Sequence, residues 1–298
     1  MKFSAFLIFI SLSIYVSAFN GNEDDIIAPG AQVEKLADGF GFTEGPAVDK
    51  NGDIYFTDQP NDRILKWSVE DKKLTVFLEK TGRANGTYFD KQGNLLTCSD
   101  MDNELWKIDM NGNHTVLVSD YEGKKLNGPN DVWVHPNGGI YFTDPLFARN
   151  YWTRDRATQM DGQHIYYLSP DGKLSKVATD YRQPNGLIGT PDGKKLYITD
   201  PGNKKTFVHD IQPDGTLTNK TLFCEMGSDG MTLDTQGNLY LTGRGVTVFN
   251  SKGEQIKEIP VDARWTANVC FGGKDMKTLF ITASQYLYSI KMNVEGVR

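Results

Sequence analysis

A polar side chain recurs six times along this chain, each time at the start of a short apolar segment. The steps between the six positions are 41, 45, 55, 44 and 39 residues. Each unit continues with a turn that is rich in Gly, Asn and Asp, then a strand rich in β-branched and aromatic residues, and then further alternating segments. The six recurring residues are Glu44, Asn85, Asn130, Asn185, Asp229 and Asn268. Such a repeat predicts a ring of six similar units.

Four short antiparallel strands in roughly 40 to 45 residues are typical of one propeller blade. We therefore predict an all-β fold, a six-bladed β-propeller of four-stranded blades. No segment has the sustained periodicity of a helical solenoid. The sixth unit has no fourth strand after Lys291, and residues 33–36 are expected to supply it. The ring would then be closed by N- and C-terminal strands, which removes two exposed sheet edges. Residues 33–298 are predicted to form this single domain.

The first 18 residues are predicted to be a secretory signal peptide. Lys2 provides a positive start, residues 3–16 are almost wholly apolar, and residues 16–18 are suited to cleavage. A retained membrane anchor is the alternative, although the segment is short for a spanning helix. Residues 19–32 would form an N-terminal extension. The mature protein is expected to be secreted or periplasmic, with no membrane partner after cleavage.

Charge and cysteine content exclude two other classes. The net charge is −6, which argues against a nucleic-acid partner and is compatible with a cation site. Cys98, Cys224 and Cys270 lie in predicted strands without CxxC spacing. An exported protein stabilised by disulfides usually has a denser, even set. We expect these three cysteines to be core residues, and one disulfide bridge between two of them is the alternative.

The six recurring residues are expected to meet at one end of the propeller, because the innermost strands converge on its axis. Glu44 and Asp229 supply negative charge, and Asn130 and Asn185 supply amide oxygens. This set suits one divalent cation, with Ca²⁺ as the first choice and Mg²⁺, Mn²⁺ or Zn²⁺ as alternatives. The lack of His and Cys disfavours a dedicated zinc site. For any one Asn-Gly or Asp-Gly pair, an ordinary turn is the alternative.

The 55-residue step contains an insertion at residues 145–163, at the same end of the propeller. It is rich in aromatic residues and arginines, and long loops in compact domains are often functional. We predict that it covers the site and that Arg149 contacts the substrate. A solvated surface loop is the alternative.

Three further residues are candidate substrate contacts. His164 follows the insertion on the site end, where it could move protons or bind hydroxyl groups. Asn85 and Asn268 complete the ring and could hydrogen-bond a substrate. For all three residues a purely structural role is the alternative.

Four motifs, in order, resemble those of the gluconolactonase/regucalcin/luciferin-regenerating family, and the resemblance covers essentially the whole mature chain. The motifs are Phe42-Thr43-Glu44-Gly45-Pro46, Asn127-Gly128-Pro129-Asn130-Asp131, Pro184-Asn185-Gly186-Leu187 and Asp229-Gly230-Met231-Thr232-Leu233-Asp234. The resemblance implies a six-bladed propeller with a divalent cation in its central tunnel and, as in many members, lactonase activity.

The resemblance also implies roles for particular residues. Glu44, Asn185 and Asp229 match metal ligands, and Asp229 also matches the residue usually assigned as catalytic base. Asn130 matches a residue that binds metal in some members and substrate in others. Regucalcin-like members hold the sugar lactone with an arginine where this chain has Gly128. Either the substrate differs, or an arginine of the insertion takes over that contact.

We therefore expect metal-dependent hydrolysis of a small-molecule lactone, with sugar lactones as the first choice. The cation would polarise the ring carbonyl, and Asp229 would activate water or attack directly. One alternative is a phosphotriesterase or fluorophosphatase-like hydrolase that uses the same ligands. The other is a non-enzymatic propeller that binds calcium or carbohydrate.

Overall fold

The computed structural model describes residues 26–298. The predicted signal peptide and residues 19–25 of the predicted extension lie outside the described residues. The described chain contains 24 β-strands and one short 3-10 helix, Gln59–Asn61. It contains no helix of the length and apolar character needed to cross a membrane. The strands form six four-stranded sheets, which confirms the predicted six-bladed propeller.

The blades follow one another along the chain, and their first strands contact each other around the axis. Blade 1 contains β2 (Thr43–Val48), β3 (Ile54–Asp58), β4 (Arg63–Ser68) and β5 (Lys73–Glu79); blade 2 contains β6 (Ala84–Phe89), β7 (Leu95–Ser99), β8 (Glu104–Ile108) and β9 (His114–Val118); blade 3 contains β10 (Val132–Val134), β11 (Ile140–Asp144), β12 (His164–Leu168) and β13 (Leu174–Ala178). Blade 4 contains β14 (Leu187–Gly189), β15 (Lys195–Asp200), β16 (Lys205–Ile211) and β17 (Leu217–Cys224); blade 5 contains β18 (Met231–Leu233), β19 (Leu239–Gly243), β20 (Gly245–Phe249) and β21 (Gln255–Ile259).

Blade 6 closes the ring with strands from both ends of the domain. It contains β22 (Thr266–Gly272), β23 (Thr278–Ala283), β24 (Tyr286–Lys291) and, as its outermost strand, β1 (Glu34–Ala37). β1 pairs antiparallel with β24, with Glu34 opposite Ser289. The predicted closure is confirmed, and the closing strand begins one residue later than the sequence pattern indicated.

Acidic side chains build the turns at the end of the propeller away from the ring residues. In blade 1 the Asp49 carboxylate accepts hydrogen bonds from the backbone N–H groups of Asn51 and Asp53, at 2.8 and 3.0 Å. Gly52 in this turn has a φ of +88°, a conformation that costs glycine little. Asp234 makes the equivalent bonds in blade 5. These local bonds explain why the turn pattern is visible in the sequence.

Neighbouring inner strands approach so closely that glycine is required after several ring residues. The N–H of Gly186 donates to the carbonyl oxygen of Asp229 at 2.8 Å, and a Cβ at Gly186 would lie 2.6 Å from that oxygen. Gly86 stands in the same relation to Asn130, with a 2.7 Å hydrogen bond. Neither glycine has a positive φ. Their Asn-Gly pairs therefore serve blade-to-blade packing, and the Gly186 contact brings Asn185 beside Asp229.

The core lies between the blades and is apolar. Tyr141, Tyr240 and Phe142 are among the largest fully buried side chains. Cys98, Cys224 and Cys270 are buried and unbridged, as expected for core residues. The polar positions of the ring lie at one end of this core, where the inner strands begin.

Candidate active site

A cavity of about 260 Å³ opens at the end of the propeller where the inner strands begin. Its wall includes Glu44, Asn185, Asp229 and Arg149, four of the predicted site residues. The remaining lining residues are Phe42, Phe147, Pro201, Gly227, Ser228 and Trp265. Larger cavities of about 490 and 750 Å³ lie elsewhere and are lined by none of the predicted site residues. The positions of the predicted site residues therefore identify the smaller cavity as the candidate active site.

Asp229, which lies just before β18, is held at both carboxylate oxygens. Asn185 Nδ2 donates to Oδ1 at 2.7 Å, and the indole Nε1 of Trp265 donates to Oδ2 at 2.7 Å. Hydrogen bonds to a charged acceptor are strong and directional, so the plane of this carboxylate is defined. Because Asn185 uses its NH₂ group on Asp229, its Oδ1 remains available as an acceptor or ligand.

Glu44 and Asp229 form a buried acidic pair. The pKa of Glu44 is raised well above its ordinary value, first by burial and then by the negative charge of Asp229. Burial also raises the pKa of Asp229, although the bond from Trp265 and the positive charge of Arg149 oppose this. In the described chain neither carboxylate has an ion-pair partner within 4.0 Å. Two buried carboxylates of this kind favour the binding of a cation.

The donor set fits a divalent cation that prefers oxygen ligands. Two carboxylates and the Oδ1 of Asn185 are hard oxygen donors of the kind that Ca²⁺ binds. Between residues 26 and 298 no group of three or more His, Cys, Asp and Glu side chains is arranged for a metal. The candidate centre consequently depends on amide ligands as well as on acids.

Asn130, the fourth predicted ligand, is buried but does not line the cavity. Its backbone carbonyl accepts the Gly86 hydrogen bond, and its backbone N–H donates to the carbonyl oxygen of Thr143 at 2.9 Å. These two bonds place the residue in the ring next to blade 2. Its role as a ligand stays a prediction.

The other ring asparagines also lie outside the cavity lining. The side chain of Asn268 packs against Gly230, and its Oδ1 accepts a hydrogen bond from the N–H of Val269 at 2.8 Å. Asn85 is buried, and its carbonyl oxygen accepts a bond from the Thr57 hydroxyl at 3.1 Å. Both residues have clear packing roles between blades, and their predicted substrate contacts are not tested by this arrangement.

His164 begins β12 and lies away from the cavity lining. Its Nε2 is 2.7 Å from Asp161 Oδ1, and Lys176 pairs with the same oxygen at 2.8 Å. Burial lowers the pKa of His164, against the opposing effect of Asp161. The structure thus places this histidine beside the ion pair of Asp161 and Lys176, and substrate contact stays a prediction.

The insertion at residues 145–163 is anchored to blade 2 by Asp100. Trp152 Nε1 donates to the Asp100 carboxylate at 2.8 Å, and Arg154 pairs with it at 3.6 Å. The Arg154 guanidinium also stacks 3.5 Å from the Trp152 ring and donates to the carbonyl oxygen of Asn127 at 2.6 Å. These contacts hold the middle of the insertion, while residues 155–159 are exposed. Arg149 is carried on the anchored part.

Arg154 also occupies the space beside Gly128, where the family resemblance implies an arginine. A Cβ at position 128 would lie 2.9 Å from Arg154 Nη2 and 2.6 Å from Asp100 Oδ1. However, Arg154 is committed to Asp100 and Asn127. The insertion arginine that reaches the cavity wall is Arg149.

Trp265 is a site residue that the sequence pattern did not indicate. Its side chain is 41% exposed and yet its indole N–H is bound to Asp229, 36 residues away in sequence. The signal in the sequence was an aromatic residue three positions before the sixth ring residue, on the segment that enters the site end.

Asp131, which links blades 3 and 4, was given no role in the predictions from the sequence. Asp131 accepts hydrogen bonds from the N–H groups of Val132 and Leu187, at 3.0 and 3.2 Å. Burial raises its pKa to about 7. Because its oxygens are used by backbone donors of two adjacent blades, this carboxylate has a structural explanation.

The chain is similar to known proteins over most of its length. Residues 42–285 match the family model described as the SMP-30/Gluconolactonase/LRE-like region. A gluconolactonase from Zymomonas mobilis is 29% identical, over 94% of this chain and 87% of the relative. A diisopropyl-fluorophosphatase from Loligo vulgaris is 27% identical, over 83% of this chain and 87% of the relative. A solved gluconolactonase structure from Xanthomonas campestris has a TM-score of 0.83 and 31% identity, covering 90% of this chain and 91% of that chain.

Proposed function

Because the chain belongs to the SMP-30/gluconolactonase/LRE-like family, we propose that it is a hydrolase that opens lactone rings. Gluconolactonase relatives that cover nearly the whole chain support this proposal. The observation that carries it is the buried acidic pair of Glu44 and Asp229 on the wall of one cavity, with both Asp229 oxygens held by donors. Sugar lactones are the first substrates to test.

We propose that Glu44, Asn185 and Asp229 hold one divalent cation, with Asn130 as a fourth, nearby candidate. Ca²⁺ is the first choice on the chemistry of the donors. When bound, such a cation supplies positive charge that polarises an ester carbonyl.

The protein's own residues account for the proton transfers. Asp229 would take a proton from water as the water oxygen bonds to the carbonyl carbon of the lactone. It would return that proton to the ring oxygen as the carbon–oxygen ring bond breaks, which leaves a hydroxycarboxylic acid whose carboxyl proton is released to the solvent. Asn185 and Trp265 would keep the carboxylate oriented through both events. Phe147 and Arg149 on the insertion would limit the access of water to the cavity.

A second candidate is a phosphotriesterase or fluorophosphatase-like activity. The relative named diisopropyl-fluorophosphatase, similar over 83% of this chain, favours testing it. The same acidic pair and amide would serve either reaction, because phosphoryl and carbonyl oxygens make similar demands on a cation. The ligands therefore do not distinguish the two substrates.

A hydrolysis screen over aldonolactones, simple lactones and a phosphotriester tests the proposal, with metal analysis of the purified protein. We expect lactone turnover that EDTA removes and Ca²⁺ restores. Phosphotriester turnover without lactone turnover would favour the second candidate. Binding of Ca²⁺ without turnover of any substrate would favour a non-enzymatic propeller.

We also propose that residues 1–18 direct export to the periplasm or the cell exterior. The charged start and apolar run of this segment support the proposal. Sequencing of the mature N-terminus is the test. A protein that begins at residue 19 is expected, whereas a retained Met1 in a membrane fraction would indicate an anchor.

A further inference from the structure

Among the described residues that line the cavity, Arg149 is the one side chain with N–H or O–H groups that donates no hydrogen bond. Asn185 and Trp265 both donate to Asp229. The Ser228 hydroxyl lies 2.5 Å from the carbonyl oxygen of Gly230 and 3.1 Å from that of Thr242. By contrast, the Nε of Arg149 is buried and has no hydrogen-bond partner.

The positive charge of the Arg149 guanidinium indicates what kind of ligand the cavity binds. Arg149 lies near enough to Glu44 and Asp229 to oppose the rise in the pKa of both. No ion pair within 4.0 Å joins Arg149 to either of these described carboxylates. If a divalent cation neutralises the acidic pair, no residue of the cavity wall balances the Arg149 charge. The other carboxylate that faces it, Asp100, lies outside the wall and is already bound to Trp152 and paired with Arg154. An unpaired, partly buried charge is costly, so a ligand with negative charge would complete the site.

The position of Arg149 is defined by its neighbours on the insertion. Its carbonyl oxygen accepts hydrogen bonds from Trp152 N and Arg156 Nη2, both at 3.2 Å. Trp152 is itself bound to Asp100, and the Arg149 guanidinium lies 5.2 Å from the ring centre of Phe147. These contacts fix the backbone that carries the guanidinium, and a donor on a fixed backbone needs less reorganisation to stabilise developing charge.

Resting on the proposed lactone hydrolysis, we infer that Arg149 binds the carbonyl oxygen of the lactone as it becomes negatively charged, and afterwards the carboxylate of the opened product. When water adds, the electron pair of the carbonyl double bond moves onto that oxygen, opposite a guanidinium. When the ring bond breaks, the same oxygen becomes part of the product carboxylate. Every lactone hydrolysis produces such a group, whatever substituents the ring carries.

Arg149 is then a catalytic residue, because it contacts the reacting carbonyl oxygen and not only the substituents of the ring. It predicts that the free hydroxycarboxylate product is retained by Arg149 and inhibits the enzyme. It also predicts a selective loss of turnover rather than of substrate affinity when the guanidinium is removed.

The test compares Arg149→Gln and Arg149→Lys with the wild-type protein, and uses Arg264→Gln as an exposed control beside the site. Steady-state rates are measured on gluconolactone and γ-butyrolactone. Gluconate binding is measured by calorimetry, with and without Ca²⁺. For Arg149→Gln we expect kcat to fall on the order of 10²-fold, as for loss of one oxyanion donor, with KM changed less than about threefold. Gluconate affinity should fall at least about tenfold, while Arg264→Gln changes neither quantity.

Chemical rescue adds a second readout. Guanidinium chloride at low concentration should restore part of the kcat of Arg149→Ala, whereas an equal concentration of sodium chloride should not. Unchanged gluconate affinity in Arg149→Gln, or a kcat within threefold of wild type, would overturn the inference. A loss on gluconolactone with no loss on γ-butyrolactone would also overturn it, because Arg149 would then bind the ring substituents and not the carbonyl oxygen. If the wild-type protein hydrolyses no lactone, the proposed function fails, and gluconate calorimetry still decides whether Arg149 binds carboxylates.

Discussion

The indole nitrogen of Trp265 donates a 2.7 Å hydrogen bond to Asp229, joining the segment that enters blade 6 to the residue that precedes blade 5. The bond lowers the pKa of Asp229, whose burial otherwise raises it. Because Asn185 holds the second oxygen of the same carboxylate, removal of the indole donor would free one side of Asp229 only.

We expect Trp265→Phe to lower kcat on lactones about tenfold, since a hydrogen bond to a charged acceptor contributes about 1.5–3 kcal/mol and Asn185 retains part of the orientation. Thermal unfolding should change little, because the side chain is 41% exposed. Trp265→His keeps a ring N–H and should recover part of the rate. If Trp265→Phe and the wild type have equal kcat, the bond does not contribute to catalysis.

Asp229→Asn should abolish measurable turnover, with a fall on the order of 10³-fold, because the amide does not accept the water proton. Circular dichroism and the unfolding midpoint should show an intact fold. Asp262→Asn, an exposed change near the same end, serves as the control. Activity retained within tenfold in Asp229→Asn would remove this residue from the role of base.

Glu44→Gln should have opposite effects on stability with and without cation. In EDTA the variant should melt about 3 °C or more above the wild type, equivalent to roughly 1 kcal/mol, because the neutral amide removes the unfavourable burial of a carboxyl group beside Asp229. With Ca²⁺ the wild type should gain stability by mass action, and the variant much less. Differential scanning calorimetry across a Ca²⁺ titration measures both effects. A Ca²⁺ response that is identical in the two proteins would place the cation elsewhere.

Asp100→Ala should loosen the insertion without unfolding the propeller. The change removes the acceptor of Trp152 and the ion-pair partner of Arg154. Trypsin should then cleave after the insertion arginines at least about tenfold faster, since local opening costs less free energy. Asp192→Ala, in an exposed turn of blade 4, is the matched control. Equal cleavage rates in the two variants would mean that other contacts anchor the insertion.

His209 should make the protein sensitive to acid in a defined pH range. Burial lowers the pKa of His209 to about 4, and the positive charge of Lys220 adds to the effect. An unfolded histidine titrates near pH 6.5, so the unfolded state binds more protons between pH 6.5 and 4. Stability should be unaffected by this group above pH 6.5 and fall by about 3 kcal/mol as the pH drops towards 4.

Urea unfolding at four pH values between 7.5 and 4.5 measures this dependence. His209→Gln should flatten the curve in that range, whereas His114→Gln, at an exposed position, should not. A wild-type curve that is already flat between pH 6.5 and 4.5 would show that the His209 pKa is not lowered.

The architecture was predictable because its signals are local. The turn at Asp49 and Gly52 is built from hydrogen bonds within five residues, so its residues also appear together in the sequence. The closing strand was inferred from a missing fourth strand in the last unit, and β1 supplies it. For an Asn-Gly pair such as Asn185-Gly186 an ordinary turn was the alternative, and the structure shows that Gly186 permits neighbouring blades to touch.

The candidate site was predictable only in part. The repeat identified Glu44, Asn185 and Asp229, and the structure brings these three to one cavity. It did not indicate that Asn268 packs against Gly230 or that His164 pairs with Asp161. Equivalent positions in a repeat share a backbone location, but their side chains differ in direction according to neighbours from other blades.

The number of blades, the closure of the ring and the family to which the motifs point could all be predicted from the amino-acid sequence alone. These properties follow from strand periodicity and turn chemistry, which act over a few residues. Three relationships are visible only in the folded protein: Trp265 holds Asp229, Arg154 pairs with Asp100, and the Arg149 side chain donates no hydrogen bond on the cavity wall. These relationships join residues that are distant in sequence. Their hydrogen bonds form, and their charges come close together, only when the blades close around the axis.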